Sequence, residues 1–171
     1  DRRQRQMCIR DRPYIVIGEG NSNKVFVYKD PIAQVRSGNG NDPIPAQVLS
    51  VKNPNYVSFS KDFEYVMAEN GSQFGVYDIL NDHGYNYTSN YPIDGSQGHA
   101  EWADKNHISY VSSGKVLIFD YDYNYAQLLN KADANFQTAF DFKDNYFYKI
   151  VDDNGSFDFY KTSFYTPNDQ P

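Results

Sequence analysis

Cysteine is nearly missing from this chain: its 171 residues hold a single one, Cys8, so no intrachain disulfide and no cysteine-based metal site is available to it. A body without cysteine suits a cytoplasm or a bacterial exterior equally. Long apolar runs are missing too, since no stretch approaches the ~18 residues that a membrane-spanning helix needs. Arginine is scarce after the first twelve residues, where only Arg36 remains. Nothing reads as a helix of useful length, and no G-x-S-x-G elbow is present, which removes the commonest serine hydrolase framework.

The first twelve residues, DRRQRQMCIRDR, carry five arginines and no hydrophobic period, and they resemble translated sequencing-adaptor read-through. A basic arm for nucleic acid would normally run into a basic domain. Residues 13–171 hold eleven basic against twenty acidic residues, a formal charge of −9. Such a body repels phosphate backbones and anionic lipid surfaces, so neither nucleic acid nor direct membrane insertion is expected of it.

Aromatic side chains are abundant, with 16 Tyr and 12 Phe beside one Trp. They fill half-buried pleated surfaces well, and Asn, Asp and Gly gather between the apolar runs where turns belong. The expected class is all-β.

The pattern repeats. Phe59, Trp102 and Phe140 each open a unit; six residues later stand Tyr65, Ile108 and Tyr146, and eight later Met67, Tyr110 and Tyr148. Polar turn formers lie between, as where one strand folds back into the next. Each unit then has a turn with glycine (Asn70-Gly71, Ser113-Gly114, Asn154-Gly155), which supplies the positive φ that tight hairpins require. A third alternating strand follows, placing Val116 with Ile118, or Phe157 with Phe159, on one face. Residues 14–30 fit the template from its second strand onward. Outer strands are expected at Ala33 to Val35, Tyr85 to Ser89 and Ala126 to Leu129, with residues 45–51 crossing to the next unit.

The opening aromatics lie 43 and 38 residues apart. Periods near 40 with four short strands each belong to propeller blades. An immunoglobulin-like sandwich shares the short strands but predicts no aligned aromatic at that period. The expected fold is therefore a partial β-propeller of about three and a half four-stranded blades, with units at about 13–50, 51–95, 96–133 and 134–171. The expectation is that it is a fragment of a larger propeller continuing upstream.

The opening at Trp102 and Asp104, the run Ile118 to Asp122 and the ending Thr162 to Pro167 resemble the WD40-like propeller of PEGA-domain envelope proteins from candidate-phylum bacteria such as Saccharibacteria. The first two features are shared with TolB-type propellers. The resemblance implies a non-catalytic module outside the cytoplasm at the cell surface, held by an upstream anchor, and it carries over no catalytic residue. The partners it implies are protein or cell-surface glycan, with no cofactor.

Three residue sets invite chemistry. His99 and Glu101, two apart on a strand, could present two metal ligands on one face, with His107 the nearest further imidazole across a turn; the alternative is exposed histidines near blade turns. Asp120, Asp122 and Asn124 form D-x-D-x-N, the first half of a calcium loop, but Tyr125 stands where that loop needs Gly and Lys131 where it needs Glu; the alternative is an Asx-rich turn. Tyr85, Tyr87, Tyr91, Tyr121, Tyr123 and Tyr125 offer rigid apolar faces with hydroxyls for sugar or protein recognition, or alternatively one parity of core and one of blade edge. Paired carboxylates for a glycan-active enzyme are available from the many Asp residues, though none stands out.

Overall fold

The computed structural model describes residues 14–18, 21–38, 41–95 and 98–164. The basic tail with Cys8 and the last part of the Thr162 to Pro167 ending lie outside them. The described residues build four antiparallel sheets in chain order, each formed by strands adjacent in sequence. The first contains β1 (Tyr14–Gly18), β2 (Val25–Lys29) and β3 (Gln47–Leu49); the second β4 (Tyr56–Phe59), β5 (Tyr65–Glu69), β6 (Gln73–Asp78) and β7 (His83–Thr88). The third contains β8 (Glu101–Trp102), β9 (His107–Ser112), β10 (Lys115–Asp120) and β11 (Gln127–Lys131); the fourth β12 (Ala139–Asp141), β13 (Tyr146–Asp153) and β14 (Ser156–Ser163). These are the blades of a partial, unclosed β-propeller, with three, four, four and three strands.

The hairpins form where the glycine pairs stand. Ser113 and Gly114, at φ 51° and 67°, and Asn154 and Gly155, at 54° and 87°, make two-residue turns with both central residues left-handed. That geometry matches the twist of the flanking strands.

Alternation in the central strands is what stacks the blades. Val66 and Ala68 of β5 face the first blade, whereas Met67 between them faces the third. In β10, Leu117 and Phe119 face the second blade and Val116 the fourth. Three core clusters result, each astride one boundary: Val16, Val25, Val27, Leu49 and Val66 between blades one and two, Phe74, Trp102, Ile108 and Phe119 between two and three, and Val116, Phe147 and Phe164 between three and four. Burying a Phe such as Phe74 or Phe119 contributes about 1.5–3 kcal/mol each.

The first blade departs from expectation. Ala33 to Val35 form no strand but sit in α1 (Pro31–Ser37), and the outer strand is β3, inside the segment expected to cross between units. Pro31 opens the helix, where its missing N–H costs nothing. Gln34 then ties it down, its amide donating to the carbonyls of Lys29 and Ile44 and its oxygen accepting from the Ile44 N–H. The segment after the helix is thereby returned to pair with β2.

Candidate functional site

Because the strands run up and down, each blade ends on two rims. One carries the hairpins at residues 70–72, 113–114 and 154–155 together with the linkers that lead from one blade to the next; the other carries the remaining turns. His99 and Glu101 lie at the first rim, at the entry to β8, and His107 lies at the second, at the start of β9. The two sets are therefore kept apart.

At the first rim a cavity of about 160 Å³ opens between the third and fourth blades. Ile93, Tyr110, Val111 and Phe136 give it apolar walls, and His99, Glu101 and Gln137 give it a polar side. Glu101 Oε1 lies 2.6 Å from His99 Nε2 and accepts a hydrogen bond of 2.8 Å from Gln137 Nε2. The His99 ring packs against Tyr56 at 4.0 Å between centroids. One carboxylate oxygen is thus held by a linker residue of its own blade and by a residue leading into the next. The edge of the cavity is fixed by Asp94, whose two carboxylate oxygens accept from the N–H groups of Ser113 and Gly114 at 2.8 and 2.6 Å. The left-handed turn points both amides outward together, so the linker is clamped to the hairpin.

Beside His99, Glu69 ends β5 and is almost fully enclosed, at 1% exposure. Its Oε2 accepts from the Gly71 N–H, while Oε1 has no hydrogen-bond partner among the described residues. Burial pushes its carboxyl up to about 7; the Gly71 amide, the His99 charge and the Ala100 amide pull the other way without reversing it.

At the opposite rim His107 sits between two carboxylates, with Nδ1 2.8 Å from Asp104 Oδ2 and Nε2 3.2 Å from Asp120 Oδ1, its ring stacked on Phe142. Burial works to raise the Asp104 carboxyl, but hydrogen bonds from the His107 ring and from the amides of Asn106 and His107 outweigh it and leave it below the usual value. Burial raises the Asp120 carboxyl against the attraction of His107.

The D-x-D-x-N run is divided between two tasks. Asp120 turns to His107. Asp122 accepts from the main-chain N–H of Asn124 at 3.1 Å and from its side-chain amide at 2.6 Å, an Asx turn. Among the described residues no group of three or more His, Cys, Asp and Glu is arranged to hold a metal ion. His99 and His107 are half-buried rather than exposed, because each spends its ring on a stacking partner and a carboxylate.

Of the two roles open to the tyrosines, recognition or packing, most take the packing one. Tyr85, Tyr87, Tyr121 and Tyr123 pack on the cluster between the second and third blades, and only Tyr91 and Tyr125 of that set are exposed. Tyr121 stacks on Tyr65 at 4.3 Å and Tyr87 on Tyr123 at 5.2 Å. Ser89 gathers the hydroxyls of Tyr110 and Tyr123 at 2.7 and 3.1 Å.

Sequence reasoning did not reach Asp94, Phe136 and Gln137, since all three lie in linkers and share a cavity with Glu101 only in the folded chain, Gln137 through a hydrogen bond to it. Glu69 was detectable: it is a carboxylate placed directly after the buried run Val66 to Ala68.

No protein-family model matches the chain, and no curated protein does. Among solved structures it is similar to the N-terminal domain of Nup159, at 13% identity and a TM-score of 0.48, over 88% of this chain and 41% of that one. It is similar to the β-propeller domain of Myceliophteria thermophila Cps50 (Swd1), at 12% identity and a TM-score of 0.49, over 90% of this chain and 52% of that one. It is also similar to the dihydro-heme d1 dehydrogenase NirN, at 13% identity and a TM-score of 0.44, over 81% of this chain and 30% of that one. The chain thus spans about half, or less, of the length of these structures.

Proposed function

We propose that the chain is a non-catalytic recognition and scaffolding module that engages protein or glycan through the rim cavity centred on Glu101. The observation that carries this reading is the fixed Glu101 carboxylate, oriented by His99 and Gln137 inside a cavity where Ile93, Tyr110, Val111 and Phe136 supply apolar wall beside the polar Asp94, Ser109, Asn135 and Thr138. Apolar walls with a few pre-oriented polar groups are what a binding pocket uses for affinity and direction together, and pre-orientation lowers the ordering cost of binding. A sugar ring or a polar peptide side chain fits this chemistry; a polyanion does not, given the acidic body. The setting we propose is a bacterial cell envelope, on the strength of the blade motifs at Trp102 to Asp104 and Ile118 to Asp122. Among the described residues no helix is long and apolar enough to cross a membrane.

Glycan and peptide arrays probed with the chain, beside a hydrolysis assay on every bound glycan, test the reading. Binding without turnover is expected, weakened about tenfold or more by Glu101→Ala at unchanged melting temperature. Turnover of a bound glycan would replace the reading with an enzyme, and binding indifferent to Glu101→Ala would move it away from this cavity.

A further inference from the structure

Glu101 and Ser109 are cross-strand partners where β8 meets β9, so their side chains lie next to each other on one sheet face, and both line the rim cavity. The two contacts that hold the Glu101 carboxylate fall on one oxygen, Oε1, which faces Nε2 of His99 and Nε2 of Gln137. Among the described residues no hydrogen bond reaches Oε2, and none reaches the hydroxyl of Ser109, which is only 3% exposed. Enclosed polar groups are as a rule paired, so both are available to whatever enters the cavity.

Charge selects the sign of that occupant. Asp94 and Glu101 line the cavity, and no Lys or Arg does. The amides of Ser113 and Gly114 orient the Asp94 carboxylate without cancelling its charge. The body around it, residues 13–171, carries a formal charge of −9, which draws a basic partner in and repels an acidic one.

We propose, building on the reading of this cavity as the recognition site, that it takes the ammonium group of a lysine side chain on a protein partner. A guanidinium pairs best with a carboxylate through two parallel bonds, but Glu101 offers one oxygen; an ammonium is a compact charge with three donors and needs no such fork. Its donors go to Glu101 Oε2 and to the Ser109 hydroxyl. Ile93, Tyr110, Val111 and Phe136 supply carbon for the aliphatic stem, which lysine buries readily while its head stays on polar atoms. An amino sugar carries the same charge on a ring of hydroxyls, which those walls would leave unpaired. At about 160 Å³ the cavity suits one side chain, since a cavity of about 150 Å³ holds a benzene molecule.

Nitrogen-15 NMR titration of the chain with Nα-acetyl-lysine amide, to about 20 mM, tests this beside the norleucine, Nε-acetyl-lysine and arginine counterparts and glucosamine. The lysine probe is expected to bind tightest, with norleucine and Nε-acetyl-lysine weaker about tenfold or more and arginine about threefold. Glu101→Gln should weaken the lysine probe about tenfold and Ser109→Ala about threefold, neither changing the norleucine probe. In the unmodified chain, raising sodium chloride from about 0.05 to 0.5 M should weaken the lysine probe and spare norleucine, a readout that needs no variant to fold. Equal affinity for lysine and norleucine overturns the proposal while leaving the cavity a recognition site. Tighter binding of arginine or glucosamine, or a lysine probe indifferent to salt and to Glu101→Gln, overturns it too. So does a lysine probe that shifts no residue of the cavity; the reading of the cavity itself falls with it only where the arrays also yield no ligand that depends on Glu101.

Discussion

Glu69 makes stability fall as pH rises through the range where most proteins are indifferent. In the unfolded chain its carboxyl titrates near 4.5; in the folded chain burial moves it to about 7. Between those values the folded chain binds one more proton than the unfolded chain, so the unfolding free energy decreases with pH. The full contribution is present below about 4.5 and is lost above about 7. A shift of this size corresponds to roughly 3 kcal/mol at complete ionisation, a large part of the total stability of a single domain. The cause is visible in the geometry: the group is 1% exposed, one oxygen has the Gly71 amide, and the other has no hydrogen-bond partner among the described residues. Glu69→Gln keeps the shape and an oxygen for the Gly71 amide but cannot ionise. Urea unfolding of both proteins from pH 5 to pH 8, at fixed ionic strength, isolates the effect, because the other shifted carboxyls, Asp104 and Asp120, are common to the two. The unmodified chain is expected to lose about 2–3 kcal/mol more than Glu69→Gln over that range, and the variant to be the more stable of the two at pH 8. Parallel stability curves would refute the reasoning.

Two further outcomes follow from packing and turns. A Cβ added at Gly75 would lie 2.9 Å from Leu49 Cβ and 3.0 Å from Val51 Cγ2, both fully buried, so Gly75→Ala should destabilise the chain by about 1–3 kcal/mol in the same unfolding assay despite the better strand propensity of alanine. Asp122→Ala removes the Asx turn at Asn124 and should cost about 1 kcal/mol. Since Asp120 is occupied with His107, that cost should be the same with and without millimolar calcium; a calcium-dependent rise in melting temperature that Asp122→Ala abolishes would assign the turn to the ion.

Much of the architecture was legible in the chain because it is written in local rules. The turn pairs at Ser113-Gly114 and Asn154-Gly155 specify left-handed residues, and the aligned aromatics lie in the first strand of their blades, Phe59 and Trp102 as the last residues of β4 and β8 and Phe140 at the middle of β12. The helix at Pro31–Ser37 was missed since residues 33–35, Ala-Gln-Val, are compatible with either state; Pro31 and the side chain of Gln34 decide between them. The tyrosines divide as the alternative of core on one parity and blade edge on the other expects, with Tyr85, Tyr87, Tyr121 and Tyr123 packed and Tyr91 and Tyr125 exposed. In β7 the third blade covers Tyr85 and Tyr87 while Asn86 and Thr88 on the other parity stay exposed, and only the stacking of Tyr65 on Tyr121 and of Tyr87 on Tyr123 shows which side is core.

By itself, then, the sequence determined the all-β class, the repeat of about 40 residues and the hairpins, because period-two alternation and positive-φ turns act between near neighbours. Tertiary structure alone decided which residues meet at the rim. His99, Glu101 and Gln137 converge because the third and fourth blades stack, and Glu69 acquires its raised carboxyl because burial in the folded chain outweighs the pull of Gly71, His99 and Ala100. Burial and convergence are properties of surfaces brought together from distant parts of the chain, and no local pattern encodes them.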